Sequence, residues 1–179
     1  MTIYEAGTVF PDGSKFGNYC KFGDGCTFGD GCTFGNYCKF GDGYTLGYGC
    51  TFGNCCTLGY GCTLGYGCKF GNCCKLGDGC KFGDGCTLGD GCTLGDGCTL
   101  GYGCTFGDGC TWLGVKVISW LTLANVDGSG RQVKVVKHDS GVKIEAGCFN
   151  GTLAEFLTKA ESEGKLCYVA VIKAVAEAM

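Results

Sequence analysis

The chain has one proline and one histidine in 179 residues, and no apolar stretch approaches the roughly 18 residues of a membrane span. Scarce proline leaves the backbone its N–H donors and spares it ring-imposed kinks. Scarce histidine removes the commonest general base: residues 1–137 contain none, and His138 stands alone. No P-loop, nucleophile triad or paired-carboxylate motif is found. The segment Met1-Thr2-Ile3-Tyr4-Glu5-Ala6-Gly7 has neither the basic nor the apolar part of a secretory leader, so none is expected. Charge excess is also small. The net value is −3, with six lysines against ten acids in residues 1–112 and eight basic residues against seven acids in 113–179. That balance argues against nucleic acid and against membrane as partners.

What is abundant is glycine, 37 residues, and cysteine, 19 residues. Glycine at this level suggests a flexible linker, and cysteine suggests a disulfide scaffold. An odd thiol count and no leader favour free thiols in a reducing compartment instead, so a cytoplasmic location is expected. The order of the residues answers the linker reading.

From Phe10 every sixth residue is Phe or Leu, through Phe16, Phe22, Phe28, Phe34, Phe40 and Leu46 to Phe106, and the series ends at Trp112. Glycine follows at the second position from Gly17 to Gly107, Asp, Asn or Tyr stands third, Gly is usual at the fourth, Cys at the fifth, and Thr or Lys always at the sixth. A longer period lies inside this one. Tyr19, Tyr37, Cys55 and Cys73 replace the fourth glycine at intervals of 18, each preceded by Asn: Asn18, Asn36, Asn54 and Asn72. Three sixes in eighteen predict a coil with three sides and one short strand per side.

Strand alternation in Cys-Thr-Phe sends Cys and Phe inward and Thr outward. Gly-Asp-Gly makes the corner, where glycine tolerates positive φ and Asp or Asn bonds nearby backbone. Successive coils are expected at ~4.8 Å, the ordinary strand spacing. Asn18, Asn36, Asn54 and Asn72 are then expected to stack with their side-chain amides bonded along the axis, while Asp24 over Asp42 and Asp78 over Asp96 stack like charges at solvated corners.

A hexad such as Leu88-Gly89-Asp90-Gly91-Cys92-Thr93 resembles the hexapeptide repeat of left-handed parallel β-helices, whose pattern is aliphatic-Gly-x-x-small-x. The resemblance covers residues 10–111. It implies the left hand, which periodicity does not show and which general crossover statistics oppose. Many members are trimeric acyltransferases dependent on CoA or an acyl carrier, with a histidine base and a loop that breaks the repeat. Residues 10–111 have neither. Frequent Phe in the aliphatic slot departs from the pattern and implies a wider or differently packed core. The whole architecture, with Asn125-Val126-Asp127-Gly128-Ser129-Gly130-Arg131 after the repeat, also resembles hexapeptide proteins of tailed bacteriophages.

After Trp112 the period changes. Val115–Leu123, Gln132–Lys137 and Val142–Glu145 read as strands separated by the turns 127–130 and 139–141. Thr152 with Glu155 makes a capping box, Leu153, Phe156, Leu157 and Ala160 share a helical face, and Gly164 suits a C-cap. Leu166–Val171 reads as a fourth strand, with the residues to Met179 helical. The expected organisation is an N-terminal cap at 1–9, a three-sided all-β solenoid at 10–112 with 18 residues per coil, and a small α+β module at 113–179.

Candidate chemistry is thin. Most cysteines recur singly every six residues, unlike C-x-x-C zinc ligands, and read as small buried fillers. Cys55 and Cys73 lie at corners and are the expected accessible thiols. No metal and no cofactor is expected. Outward Thr columns suggest ice binding, but each strand offers one outward residue and lysines such as Lys39, Lys69 and Lys81 interrupt the ranks. Tyr48 and Tyr66 form an aromatic stripe, a possible contact surface. Arg131, Lys134, Lys137, His138 and Lys143 are the candidate site for a small anionic ligand, although Lys134 and Lys137 point to opposite strand faces. The expected function is a non-enzymatic bacteriophage accessory protein in the bacterial cytosol. Its solenoid assembles with itself, as a trimer by the family habit, and displays a C-terminal module that binds a host protein or small signal. Ice binding and hexapeptide acyltransfer are the alternatives.

Overall fold

The computed structural model describes residues 1–101, 103–124, 126, 128 and 132–179. Its two compact units are Met1–Gly114 and Val115–Met179.

The first unit is a β-solenoid of about six coils whose strands are two residues long. Each strand pairs in parallel with the one 18 residues on, as in Lys21↔Lys39, Thr45↔Thr63 and Lys69↔Thr87, and the pairs build three sheets. Strands this short hold because every inward residue is covered by the coil above and below. Ile3–Tyr4 already pairs with Lys21–Phe22, and the Tyr4 ring stacks on Phe22 at 4.8 Å. The coil therefore begins one hexad ahead of Phe10, inside the segment expected to serve as a cap.

Phenylalanine is accommodated by geometry. Along a side the rings stack face to face, Phe10 on Phe28 at 4.9 Å and Phe52 on Phe70 at 4.5 Å. Between sides they meet edge to face, Phe22 against Phe28 at 5.1 Å and 86°. Both arrangements suit the ring quadrupole. The fifth-position cysteines do more than fill space. Cys38, Cys56, Cys74 and Cys92 each donate through Sγ, at 3.3 Å, to the second-position glycine carbonyl of the coil before. A valine or alanine would leave those carbonyls without that donor. Ser14 and Tyr44 are the exceptions in the thiol ranks, and Tyr44 is the large one. Its ring is buried beside Phe40 at 5.3 Å, and the uninterrupted aromatic run at the large position ends next to it, at Leu46.

The corners explain the second glycine. A Cβ on Gly53 would lie 2.4 Å from Asn36 Oδ1 and 2.7 Å from the Asn36 nitrogen. That space is taken by a ladder in which third-position Asp and Asn side chains accept the backbone N–H of the residue 18 positions on. Asn54 N–H donates to Asn36 Oδ1 at 2.7 Å, and Asp42 N–H to Asp24 Oδ1 at 2.9 Å. The bonds run along the axis as the sequence suggests, but the donor is backbone rather than a neighbouring amide, so Asp serves as well as Asn.

In the second unit, strands Ser119–Ala124, Gln132–His138, Gly141–Ala146 and Phe149–Thr152 form an antiparallel meander. Helix α1, Leu153–Ser162, and helix α2, Leu166–Ala178, pack Phe156, Ala160, Tyr168 and Ile172 on Val133, Val135 and Ile144. The Thr152–Glu155 capping box is formed. Gly164, at φ +69°, ends α1: its N–H donates to Glu161 O, and Lys165 N–H donates to Ala160 O. Two expectations fail. Leu166–Val171 opens α2 and is not a strand; Tyr168, Ile172, Val175 and Met179 fall at helical spacing and line the core. The fourth strand is Phe149–Thr152 instead, brought back by the two-residue turn Gly147-Cys148 with Gly147 at φ +60°. No helix among the described residues is long and apolar enough to cross a membrane.

Candidate functional site

The Gly147-Cys148 turn, the end of the sheet and the facing ends of the helices enclose a cleft of about 620 Å³. Its floor is aromatic. Phe149 meets Phe156 at 5.3 Å, and Phe156 meets Tyr168 at 6.1 Å, both edge to face. Its rim is polar and net positive: Lys165 Nζ lies 2.5 Å from Glu163 Oε2, and Lys159 Nζ lies 3.5 Å from Glu163 Oε1. The bond from Lys165, with burial opposing and both lysine charges helping, holds the Glu163 carboxyl below its usual range. Two ammonium groups thus share one carboxylate, which leaves one unit of positive charge over the aromatic floor. The backbone start of α2 adds partial positive charge beside it, since Lys165 offers no side-chain cap there. The exposed Cys148 thiol stands on the lip. The volume lies inside the roughly 300–1,000 Å³ range of small-molecule sites, and the mixture of apolar floor and few polar groups is typical of them.

The residues singled out from sequence are placed elsewhere. Arg131 lies outside the described residues. Lys134 is buried, its Nζ 2.5 Å from Glu145 Oε1 directly across the strand pair. Lys143 pairs opposite Val136 and so shares the Lys134 face, whereas Lys137 points to the other. His138 Nδ1 accepts the Ser140 N–H at 3.3 Å in the turn and lies 3.7 Å from Asp139. Among the described residues, none of the other four lines the cleft. Residues missed by sequence reasoning are Cys148, Phe149, Lys159 and Lys165. The signal that could have found them is the Gly-x pair at 147–148 between two β-prone stretches.

On the solenoid, Tyr48 and Tyr66 stack at 5.3 Å on an exposed corner, with Tyr60 exposed on another. Cys73 is exposed and Cys55 half-buried, while fifteen coil thiols are buried; Cys148 and Cys167 are further exposed thiols. Burial pushes the Cys32, Cys38 and Cys110 thiols up, and hydrogen bonding to Cys56 pushes Cys74 up to about 12. These interior thiols are protonated donors at neutral pH, the state in which a thiol is neither nucleophile nor metal ligand. Among the described residues no group of three or more His, Cys, Asp or Glu is arranged to hold a metal ion.

Residues 73–108, two coils of the solenoid, match the family model described as bacterial transferase hexapeptide (six repeats). That family takes in acyltransferases and non-enzymes alike. No curated protein and no solved structure compared with the chain matches it.

Proposed function

We propose that the chain is a non-enzymatic binding protein in which a rigid solenoid carries a C-terminal module, and that the module takes its ligand in the cleft at Cys148. The observation that carries this reading is the pairing of an aromatic floor with a net positive rim. It favours a ligand with an apolar or aromatic body and an anionic group, either a small molecule or a peptide side chain. Support for a scaffold role in the solenoid comes from its corner ladder of Asp and Asn side chains and from the burial of fifteen of its thiols. In finer detail, the module is directed at a host protein or small signal, the chain is a bacteriophage accessory protein of the host cytosol, and solenoid faces pack into a homotrimer. The support for these parts is the resemblance of the architecture to phage hexapeptide proteins and the symmetric packing habit of such coils.

The test uses the full chain and an anionic aromatic probe, anilinonaphthalene sulfonate. Saturable binding that is lost in Lys159→Glu with Lys165→Glu, while Lys137→Glu and Lys143→Glu retain it, is the expected result. Binding unchanged by the cleft pair, or abolished by the strand pair, refutes the assignment. A shift in melting temperature with acetyl-CoA would favour the transferase reading suggested by the matched family. Sedimentation of the same sample reads the oligomeric state. One observation favours ice binding as a second reading: Thr27, Thr45 and Thr63 stack in register on one face. Thermal hysteresis measures it directly.

A further inference from the structure

One corner of the solenoid differs from the other two. At the fourth turn position the others carry glycine throughout, whereas this one carries Tyr19, Tyr37, Cys55 and Cys73 before reverting to Gly91 and Gly109. All four side chains sit at φ 59–60°, a conformation that L-residues avoid and glycine adopts freely. Side chains are therefore kept here against local preference. The column is also tightly registered. Tyr37 N–H donates to Asn54 O at 2.9 Å, Cys55 N–H to Asn72 O at 2.8 Å and Cys73 N–H to Asp90 O at 2.7 Å.

The Tyr19 and Tyr37 rings stack at 5.1 Å and 5°, as neighbours one coil apart. Cys55 and Cys73 are its next two members, in the same backbone conformation, so their Cβ atoms are separated by one coil, ~4.8 Å by the ordinary strand spacing. A step of that size discriminates between two uses of a thiol pair. A disulfide needs Cβ atoms about 3.5–4.5 Å apart and an S–S bond of about 2.05 Å. One coil would have to close on the next, against the corner ladder. Two thiolate–metal bonds of about 2.3 Å, end to end, span about 4.6 Å, which the column already provides.

We infer that Cys55 and Cys73 form a two-coordinate site for one soft cation of the Cu(I) class. Soft thiolates select such ions, and two ligands in line suffice for them. On binding, two S–H bonds break, two S–metal bonds form, and two protons leave to solvent; no electron is transferred. The interior thiol ranks repeat the same step, but they are buried and donate to carbonyls, so an ion has no path to them.

The experiment titrates the reduced full chain with Cu(I) under anaerobic conditions against bicinchoninate and reads sulfur coordination by X-ray absorption. One equivalent per chain with two sulfur ligands is expected. Affinity should fall by about a hundredfold or more in Cys55→Ser and in Cys73→Ser, because the ion then keeps a single thiolate. Cys148→Ser with Cys167→Ser should leave it unchanged. Circular dichroism checks that each variant keeps its fold. Copper retained by Cys55→Ser with Cys73→Ser, or three sulfur ligands, overturns the site. So does a Cys55–Cys73 disulfide formed in air by the metal-free chain, since it shows that the coils close to disulfide distance.

Discussion

Replacing Tyr44 with phenylalanine should stabilise the solenoid. The Tyr44 hydroxyl is fully buried beside the Cys62 thiol and makes no hydrogen bond of good geometry. Burying a hydroxyl without a partner costs about 1–3 kcal/mol on protein mutational scales. The ring itself is well placed, 5.3 Å from Phe40 and 6.4 Å from Phe28, and phenylalanine keeps both contacts. The net gain in Tyr44→Phe is therefore about 1–2 kcal/mol, allowing for some weak contact with sulfur. Cysteine, the residue of most other hexads at this position, should do the opposite. It removes a buried ring where the large position has already changed from Phe to Leu46, and an aromatic-sized cavity costs about 3–5 kcal/mol. Urea midpoints by circular dichroism, with hydrogen exchange at the coil amides, compare the three chains without assuming that a stacked array unfolds in one step. Burial holds the Tyr44 phenol well above its ordinary range, so the difference should not vary across neutral pH. A midpoint for Tyr44→Phe below that of the parent chain refutes the reasoning, because it means that the hydroxyl has a partner worth more than its desolvation.

Three further outcomes follow from the corners, the cap and the thiols. Gly53→Ala should destabilise by about 1–3 kcal/mol or more, since its Cβ would meet Asn36 backbone and Oδ1 at 2.4–2.7 Å; thermal midpoints read this against Gly35→Ala, where the same clash recurs with Asn18. Thr152→Ala should cost the second unit about 1 kcal/mol. Thr152 backbone N–H and hydroxyl hold the Glu155 carboxyl low, so this stabilisation is complete above the unfolded carboxylate range of about 4.3 and is lost as pH falls through the lower folded value. The acid-side decline should flatten in the variant, and hydrogen exchange at the start of α1 at two pH values checks it. Brief alkylation of the native chain should mark Cys55, Cys73, Cys148 and Cys167 and spare the fifteen buried thiols until the chain unfolds, as peptide mass mapping would show.

The solenoid was legible because its information is periodic and local: a large residue, a corner glycine and an outward Thr or Lys recur without slippage, and the 18-residue spacing of Asn18, Asn36, Asn54 and Asn72 gives the number of sides. What escaped was chemistry hidden in a conformational label. Nothing in the letters says that the thiol of Cys56 serves the Gly35 carbonyl, or that the ladder at Asn36 uses a backbone donor. The second unit was legible where a cap or glycine punctuates it, at Thr152 and Gly164. It was misread where an apolar run of six suits either period, at Leu166–Val171, and helix α2 wins there because only its face completes the core around Ile144. The cleft was out of reach for a different reason. It joins Cys148, Phe156 and Tyr168, whose proximity depends on how a hairpin and two helices fold back.

The corner ladder also sets the unit in which this chain can change length. The interior is nearly indifferent to a shift of six residues, because almost every hexad supplies the same small thiol and large apolar side chain. The corners are not indifferent. Gaining or losing one hexad would place Tyr37 and Cys55 in different ranks, and would set the acceptor of Asn36 beneath a residue from another side. An edit of 18 residues returns every acceptor, ring and thiol to its own rank. Lengthening by duplication, in nature or in the laboratory, should therefore succeed by whole coils.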